Sequence, residues 1–476
     1  MMKKQKFIII VSVIVLVASV IPFLIISINS ESNSSADPII PVTEEEISEY
    51  PNGNSLGESV YIPNGSPSDN STGFVPAESK ESTGENQEEE SSSIVIPKAS
   101  VDFNVSSANN GTPSTPAKSG EMRAIWIPYM SLTDISANKI DAMLDKAKSM
   151  GFNTIMFHVR PFGDAMYKSK YFPWSHIAAG TQGASPSGGF DPLGYAVTAA
   201  HSRGLALHAW INPLRIQLEG GKVPETIAAS NPYNKYRNDS SAANDHYVVD
   251  YKDGKYYNPA EAEVRELIVS GIAEIAENYD VDGIHWDDYF YPSSTSAFDD
   301  GVSYDKYKKS GGTLSLASWR KYNIDLLVRA SYERVKAINP KLIFGISPAG
   351  NIQNCLNAGA DVKKWGRESG YVDYLCPQIY WTFDNSVAPY EEMCKKWRNI
   401  VTNKSVKLYI GLALYKAGSN SDSGKWKTAD DIIAREIRYA RSSPINADGF
   451  MVYSYDYLGK AQTKKEVANM VSEWNR

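Results

Sequence analysis

The sequence predicts an α/β protein: a (β/α)8 barrel of the TIM type, preceded by a membrane-spanning segment and a linker. Three observations predict it. From residue 119 onward, eight short apolar runs alternate with amphipathic helical patterns, the signature of strand–helix units closing on themselves. The C-terminal ends of those runs collect aromatic, amide and carboxylate residues, as the mouth of an enzyme barrel does. No Gly-rich phosphate loop follows the first run, which sets the doubly wound open sheet aside.

The N-terminal segment comes first in the chain. Phe7 to Ser27 is apolar and long enough to cross a bilayer. Lys3, Lys4 and Lys6 precede it and no Lys or Arg follows until Lys80, which predicts a cytoplasmic N-terminus and an exported remainder. The alternative is a cleaved signal peptide, but the run is long and Ser-Ile-Asn-Ser is a poor cleavage site. Residues 1–30 are therefore read as an anchor. Residues 31–118 hold fifteen acidic residues against three lysines and are rich in Ser, Asn, Gly and Pro. Such a segment cannot bury enough surface to offset its ordering entropy, so a disordered tether is expected. The chain's net charge of −7 resides there, leaving residues 119–476 near neutral at +2. That balance carries no nucleic-acid footprint. The three cysteines, Cys355, Cys376 and Cys394, form no CxxC pair and suggest neither a disulfide framework nor a thiolate metal site.

The barrel strands are predicted at 123–128, 154–159, 206–211, 283–287, 342–347, 374–380, 408–414 and 449–455. Helices are predicted near 138–149, 192–203, 260–278, 316–338, 387–401, 429–442 and 464–474, with a short one near 361–368. The helix at 260–278 illustrates the reasoning. Asn258 can cap it, Pro259 fits a first turn, and Glu261 and Glu263 suit its positive end. Val264, Leu267, Ile268, Ile275 and Tyr279 recur at helical spacing and would face the barrel. Asp191-Pro192 opens an earlier helix in the same way. The stretch at 214–258 is an insertion, either a lid or a surface excursion.

At the predicted strand ends the residues can be read directly. The second run ends in His158, Arg160 and Asp164, with Tyr167 beyond. The third ends in His208, Trp210, Asn212 and Arg215. The fourth runs through His285 into Asp287, Asp288 and Tyr289. The sixth ends in Gln378, Tyr380, Trp381 and Asp384, and the eighth in Tyr455 and Asp456. Aromatic faces stack on sugar rings, while Asn, Gln, Arg and Asp bond hydroxyls, so this set predicts a polysaccharide substrate. Glycoside cleavage needs two carboxyl groups, one of them protonated. Strand alternation places His285, Asp287 and Tyr289 on one face and Trp286, Asp288 and Phe290 on the other. On that pattern only one of the two aspartates points to the axis, and the more polar face favours Asp287. The second carboxyl group is open among Asp288, Asp164, Asp384 and Asp456. No cofactor is implied.

The stretches MRAIWIPY, GFNTIMFHVRPFGDAMYKS, FDPLGYAVTAAHSRGLALHAWINPLR, YNPAEAEVRELI, DGIHWDDYFYP, GISPAG, YVDYLCPQIYW and IGLALYKAG together resemble the bacterial glycosyl-hydrolase-like family 10 proteins, over about residues 121–458. The resemblance implies an exported TIM-barrel glycoside hydrolase, with peptidoglycan glycan strands as the substrate. DGIHWDDYFYP is also similar to the DGxDxDWEYP strand of chitinase-type barrels. Tyr289 stands where their catalytic glutamate would be, so that mechanism does not carry over. Two rival functions are expected to leave different marks. His158, His208 and His285 on three consecutive strands, with Asp287, could hold a metal for a polysaccharide deacetylase, although no HxH or HExxH spacing is present. A non-catalytic glycan-binding barrel is the other.

Overall fold

A computed structural model describes residues 120–218, 223–252, 254–292 and 298–476. The predicted anchor (1–30) and linker (31–118) lie outside the described residues. Eleven strands are found among those described: β1 (Met122–Ile127), β2 (Thr154–Arg160), β3 (Ala206–Ile211), β4 (Arg215–Gln217), β5 (Val248–Tyr251), β6 (Gly254–Tyr257), β7 (Gly283–Trp286), β8 (Ile343–Ile346), β9 (Tyr374–Leu375), β10 (Lys407–Ala413) and β11 (Gly449–Tyr453). Eight of them close a parallel barrel in the order β1-β11-β10-β9-β8-β7-β3-β2. This is the (β/α)8 architecture that the alternation of runs and helices predicts.

Alternate residues of each strand serve two different cores. Outward side chains pack against the helices. Trp286 is fully buried there, edge-on to Phe344 at 5.1 Å between ring centroids. Inward side chains fill the barrel with Trp126, Met156, Trp210, Tyr374, Tyr409 and Met451. These are large groups for a narrow interior, and glycines make room for them. A Cβ on Gly283 would stand 2.6 Å from the His208 ring, and one on Gly345 would stand 2.1 Å from the Tyr374 ring. The register puts both glycines beside those rings, with His208 opposite Gly283 and Gly345 opposite Tyr374.

The principal helices span Ala137–Ser149, Pro192–Ser202, Ala262–Asn278, Leu316–Ile338, Tyr390–Ile400, Ile432–Arg441 and Lys464–Trp474. The helix expected from 260 begins two residues later. Asn258 bonds the N–H of Ala260 at 3.1 Å within a turn ahead of the helix, so Pro259 lies before its first turn rather than in it. The short helix expected near 361–368 is Val362–Trp365, and a further short helix, Ile352–Asn357, precedes it. The sixth strand is shorter than predicted. It stops at Leu375, because Pro377 has no N–H to continue the ladder. Beyond it only Gln378 re-joins the sheet, as a single bridge to Ala349 and to Gly411. Among the described residues of the insertion, β4, β6 and β5 form a small antiparallel sheet, with a helix at Pro232–Arg237.

Candidate active site

A cavity opens at the C-terminal mouth of the barrel, where the active sites of such barrels form. Its acidic side is made by Asp287 and Asp288, which follow β7 directly. Both line it. The expectation that they point to opposite faces is therefore corrected. Strand β7 ends at Trp286, and the alternation that separates successive side chains ends with it.

Asp287 is 3% exposed. The indole N–H of Trp210 donates to its Oδ2 at 3.0 Å, and the backbone N–H of Tyr289 donates to its Oδ1 at 3.3 Å. Burial pushes its carboxyl well above the usual range, and the neighbouring charge of Asp288 pushes the same way; Arg215 and the two hydrogen bonds pull in the other direction without prevailing. Asp288 is half-buried, and its Oδ1 accepts a hydrogen bond from the Gln378 amide at 3.2 Å. The site thus joins a buried carboxyl group with a raised pKa to a second one held by an amide.

Around the pair stand Tyr289, Gln378, Tyr380 and Trp210, all singled out from the sequence. Arg215 reaches the site from the inserted sheet. Its guanidinium lies 4.3 Å from the centre of the Tyr289 ring and 5.0 Å from that of Phe162, and its Nε donates to Pro161 O at 3.1 Å. Other predicted residues are placed away from the cavity. Asp164 is fully buried and accepts from Gln182 at 2.9 Å. Asp384 is exposed and pairs with Lys425 at 3.3 Å. Asp456 accepts from Ser131 at 2.6 Å. Arg160 packs its guanidinium 4.4 Å over Phe172, the Tyr167 hydroxyl donates to Gly271 O at 3.4 Å, and Asn212 donates to Pro161 O at 3.3 Å. Trp381 and Tyr455 are half-buried outside the cavity lining, Trp381 against Gly350 and Tyr455 beneath Lys146.

The cavity's remaining wall is Trp126 from β1 and Pro128, Tyr129 and Met130 after it, with Tyr453 from β11 and His158 from β2. Apart from His158, none of these was singled out. The signal was present in the run Trp126-Ile127-Pro128-Tyr129, which ends the first strand as DDYFYP ends the fourth.

Of the three histidines, His158 lines the cavity, and His208 and His285 are buried in the barrel outside its lining. His285 Nε2 accepts from the Trp126 indole at 3.0 Å, so its Nδ1 carries the proton and donates to the Tyr374 hydroxyl at 2.7 Å. That hydroxyl can in turn donate to His208 Nδ1, at 3.4 Å. His158 stacks on Trp210 at 3.7 Å between ring centroids. Burial pushes His208 down to about 4 and His158 and His285 well below the ordinary histidine range, so all three are neutral. Both ring nitrogens of His285 are engaged in this chain of hydrogen bonds. The arrangement is a polar packing layer, not the converging lone pairs that the deacetylase alternative requires.

A closed parallel barrel with paired carboxyl groups in an aromatic cavity at its C-terminal mouth defines a glycosidase-type TIM barrel. Residues 121–428 match the Glycosyl hydrolase-like 10 family, and the chain belongs to that family. It is 33% identical over 368 residues to the glycosyl hydrolase YngK of Bacillus subtilis, covering 71% of this chain and 69% of that one. It is 32% identical over 413 residues to the glycosyl hydrolase DigH of Escherichia coli K12, covering 77% and 90%. Among solved structures, the endo-1,4-beta-mannanase of Rhizomucor miehei aligns at a TM-score of 0.48 and 10% identity over 77% of this chain and 98% of that one. The protein is a glycoside hydrolase.

Proposed function

We propose that the enzyme hydrolyses the glycan strands of a cell-surface polysaccharide, peptidoglycan foremost, with Asp287 as the proton donor to the leaving oxygen. The observation that carries this reading is the burial of Asp287, which raises its pKa, beside a second carboxyl group in one aromatic cavity. A general acid must hold its proton at working pH and release it in the transition state. Burial against Trp210, with Asp288 adjacent, meets the first need. Tyr289, Tyr380 and Trp210 offer faces and polar edges for a sugar ring, and Gln378 keeps Asp288 turned into the cavity. The apolar run at 7–27, followed by a long acidic stretch, supports an enzyme anchored in the cell membrane and working outside it.

The test is digestion of purified peptidoglycan glycan strands, with and without stem peptides, by the full chain and by Asp287→Asn, read by mass spectrometry. New reducing ends are expected from the wild type. The variant should be slower by about 10²–10⁴-fold. Strands that stay intact with the wild type would refute the substrate. Equal turnover by the variant would refute the role of Asp287.

A further inference from the structure

A carboxylate nucleophile or base acts on the anomeric carbon from the side opposite the proton donor. The two groups then flank the bond, about 5–5.5 Å apart in retaining enzymes and about 6.5–9.5 Å apart in inverting ones. Among the described residues, the cavity wall across from Asp287 carries no carboxyl group. Asp287 and Asp288 are successive residues at the end of one strand, and among the described residues no other carboxyl group lines the cavity. In the closed strand order, β11 lies diametrically across from β7, with β1 beside it. The side chains those strands present to the cavity are Tyr453 and Trp126. Asp456, just past β11, is turned away to Ser131. The wall facing the acid pair is therefore aromatic and carries no carboxylate.

We propose that the substrate supplies the missing nucleophile itself: the enzyme takes a 2-acetamido sugar, whose carbonyl oxygen attacks the anomeric carbon while the adjacent aspartates serve the two ends of that exchange. This inference rests on the reading of the site as a glycosidase and names the class of sugar it accepts. In the first step the acetamido oxygen forms a bond to C1 as the bond from C1 to the leaving oxygen breaks. Asp287 gives its proton to that oxygen. Asp288, steadied by Gln378, accepts a hydrogen bond from the acetamido N–H and offsets the positive charge that gathers on the five-membered ring. In the second step water attacks C1 and its proton passes to Asp287. The C1–acetamido oxygen bond breaks, and the acetamide is restored. Two displacements at C1 leave its configuration retained. The aromatic wall suits the acetamido methyl group, which a set of charged residues would not.

The test uses the wild-type full chain, so no variant has to fold. Glycan strands freed of stem peptides, and chitin oligomers as a second 2-acetamido polymer, are compared with the same polymers carrying N-trifluoroacetyl in place of N-acetyl. Trifluoroacetyl keeps the N–H and much of the shape but weakens the carbonyl oxygen as a nucleophile. The expected result is a fall in kcat on the order of a hundredfold. The thiazoline analogue of N-acetylglucosamine, which mimics the bicyclic intermediate, should bind at least about 10²-fold more tightly than substrate. The first-formed product, read by NMR, should keep the anomeric configuration. Equal rates on the two acyl forms, or an inverted product, would overturn the inference. Cleavage of chitin oligomers alone, with the same acyl dependence, would support it while refuting peptidoglycan as the polymer. No cleavage of any acetylated polymer would refute the glycosidase substrate and this inference together.

Discussion

Asp287 is where single-residue chemistry can be tested most directly. The pKa of its carboxyl is raised by burial and by Asp288, against the pull of Arg215. Activity that needs the protonated form is complete below the raised pKa and is lost as pH rises through it. Removing the positive charge with Arg215→Met should raise that pKa further, so the alkaline limb of the kcat/KM profile should move to higher pH. A limb that stays in place would show that Arg215 does not act on Asp287. The same residue shows what alternation along a strand can and cannot reveal. The rule brings His285 inward and Trp286 outward, as observed, because both are within β7. It fails at Asp288, one residue past the ladder, where backbone direction depends on the turn that follows rather than on the pleat.

At the scale of elements, strands fit this barrel because small residues face large ones. Gly345 in β8 has no side chain to collide with Tyr374, and Tyr374 carries the hydroxyl that joins His285 and His208. Gly345→Ala should push that ring aside and lower stability by about 1–3 kcal/mol. A thermal melt of the variant that matches the wild type would contradict this. The apolar runs identify the strands, but β9 is cut to two residues by Pro377, and Gln378, held by isolated bridges to Ala349 and Gly411 instead of a regular ladder, donates its side-chain amide to Asp288. The insertion at 214–258 is legible in the sequence, but its small sheet is not. Its Tyr, Asn and Asp content gives no clean period, yet β4 within it sets Arg215 against the ring of Tyr289, which lines the cavity.

For the whole molecule, the buried neutral histidines couple stability to pH. His208 is held at about 4 by burial, below its ordinary value of 6.5. A group depressed in this way binds protons more readily in the unfolded chain. The stability it contributes is complete above pH 6.5 and is lost as pH falls from there towards 4. The loss should amount to on the order of 3 kcal/mol for His208. Urea unfolding at pH 7 and pH 4.5 would measure it, and His208→Gln should flatten part of the difference. Equal flattening in a variant of exposed His201 would assign the effect elsewhere.

The chain by itself determined the barrel, because eight apolar runs, each followed by a helical pattern, have few other ways to bury both faces of their strands. It also marked Asp287, Trp210, Tyr289, Gln378 and Tyr380 as neighbours of a common site, since strand ends of one barrel share one mouth. Family membership was legible in the same motifs. The tertiary structure alone decided which carboxyl groups meet. Asp164, Asp384 and Asp456 also follow strands, yet Gln182, Lys425 and Ser131 hold them outside the cavity, while Asp288 turns in beside Asp287. Those choices depend on loop paths and on partners distant in sequence. They set the distance and the dielectric around each charge, and no local pattern along the chain encodes either.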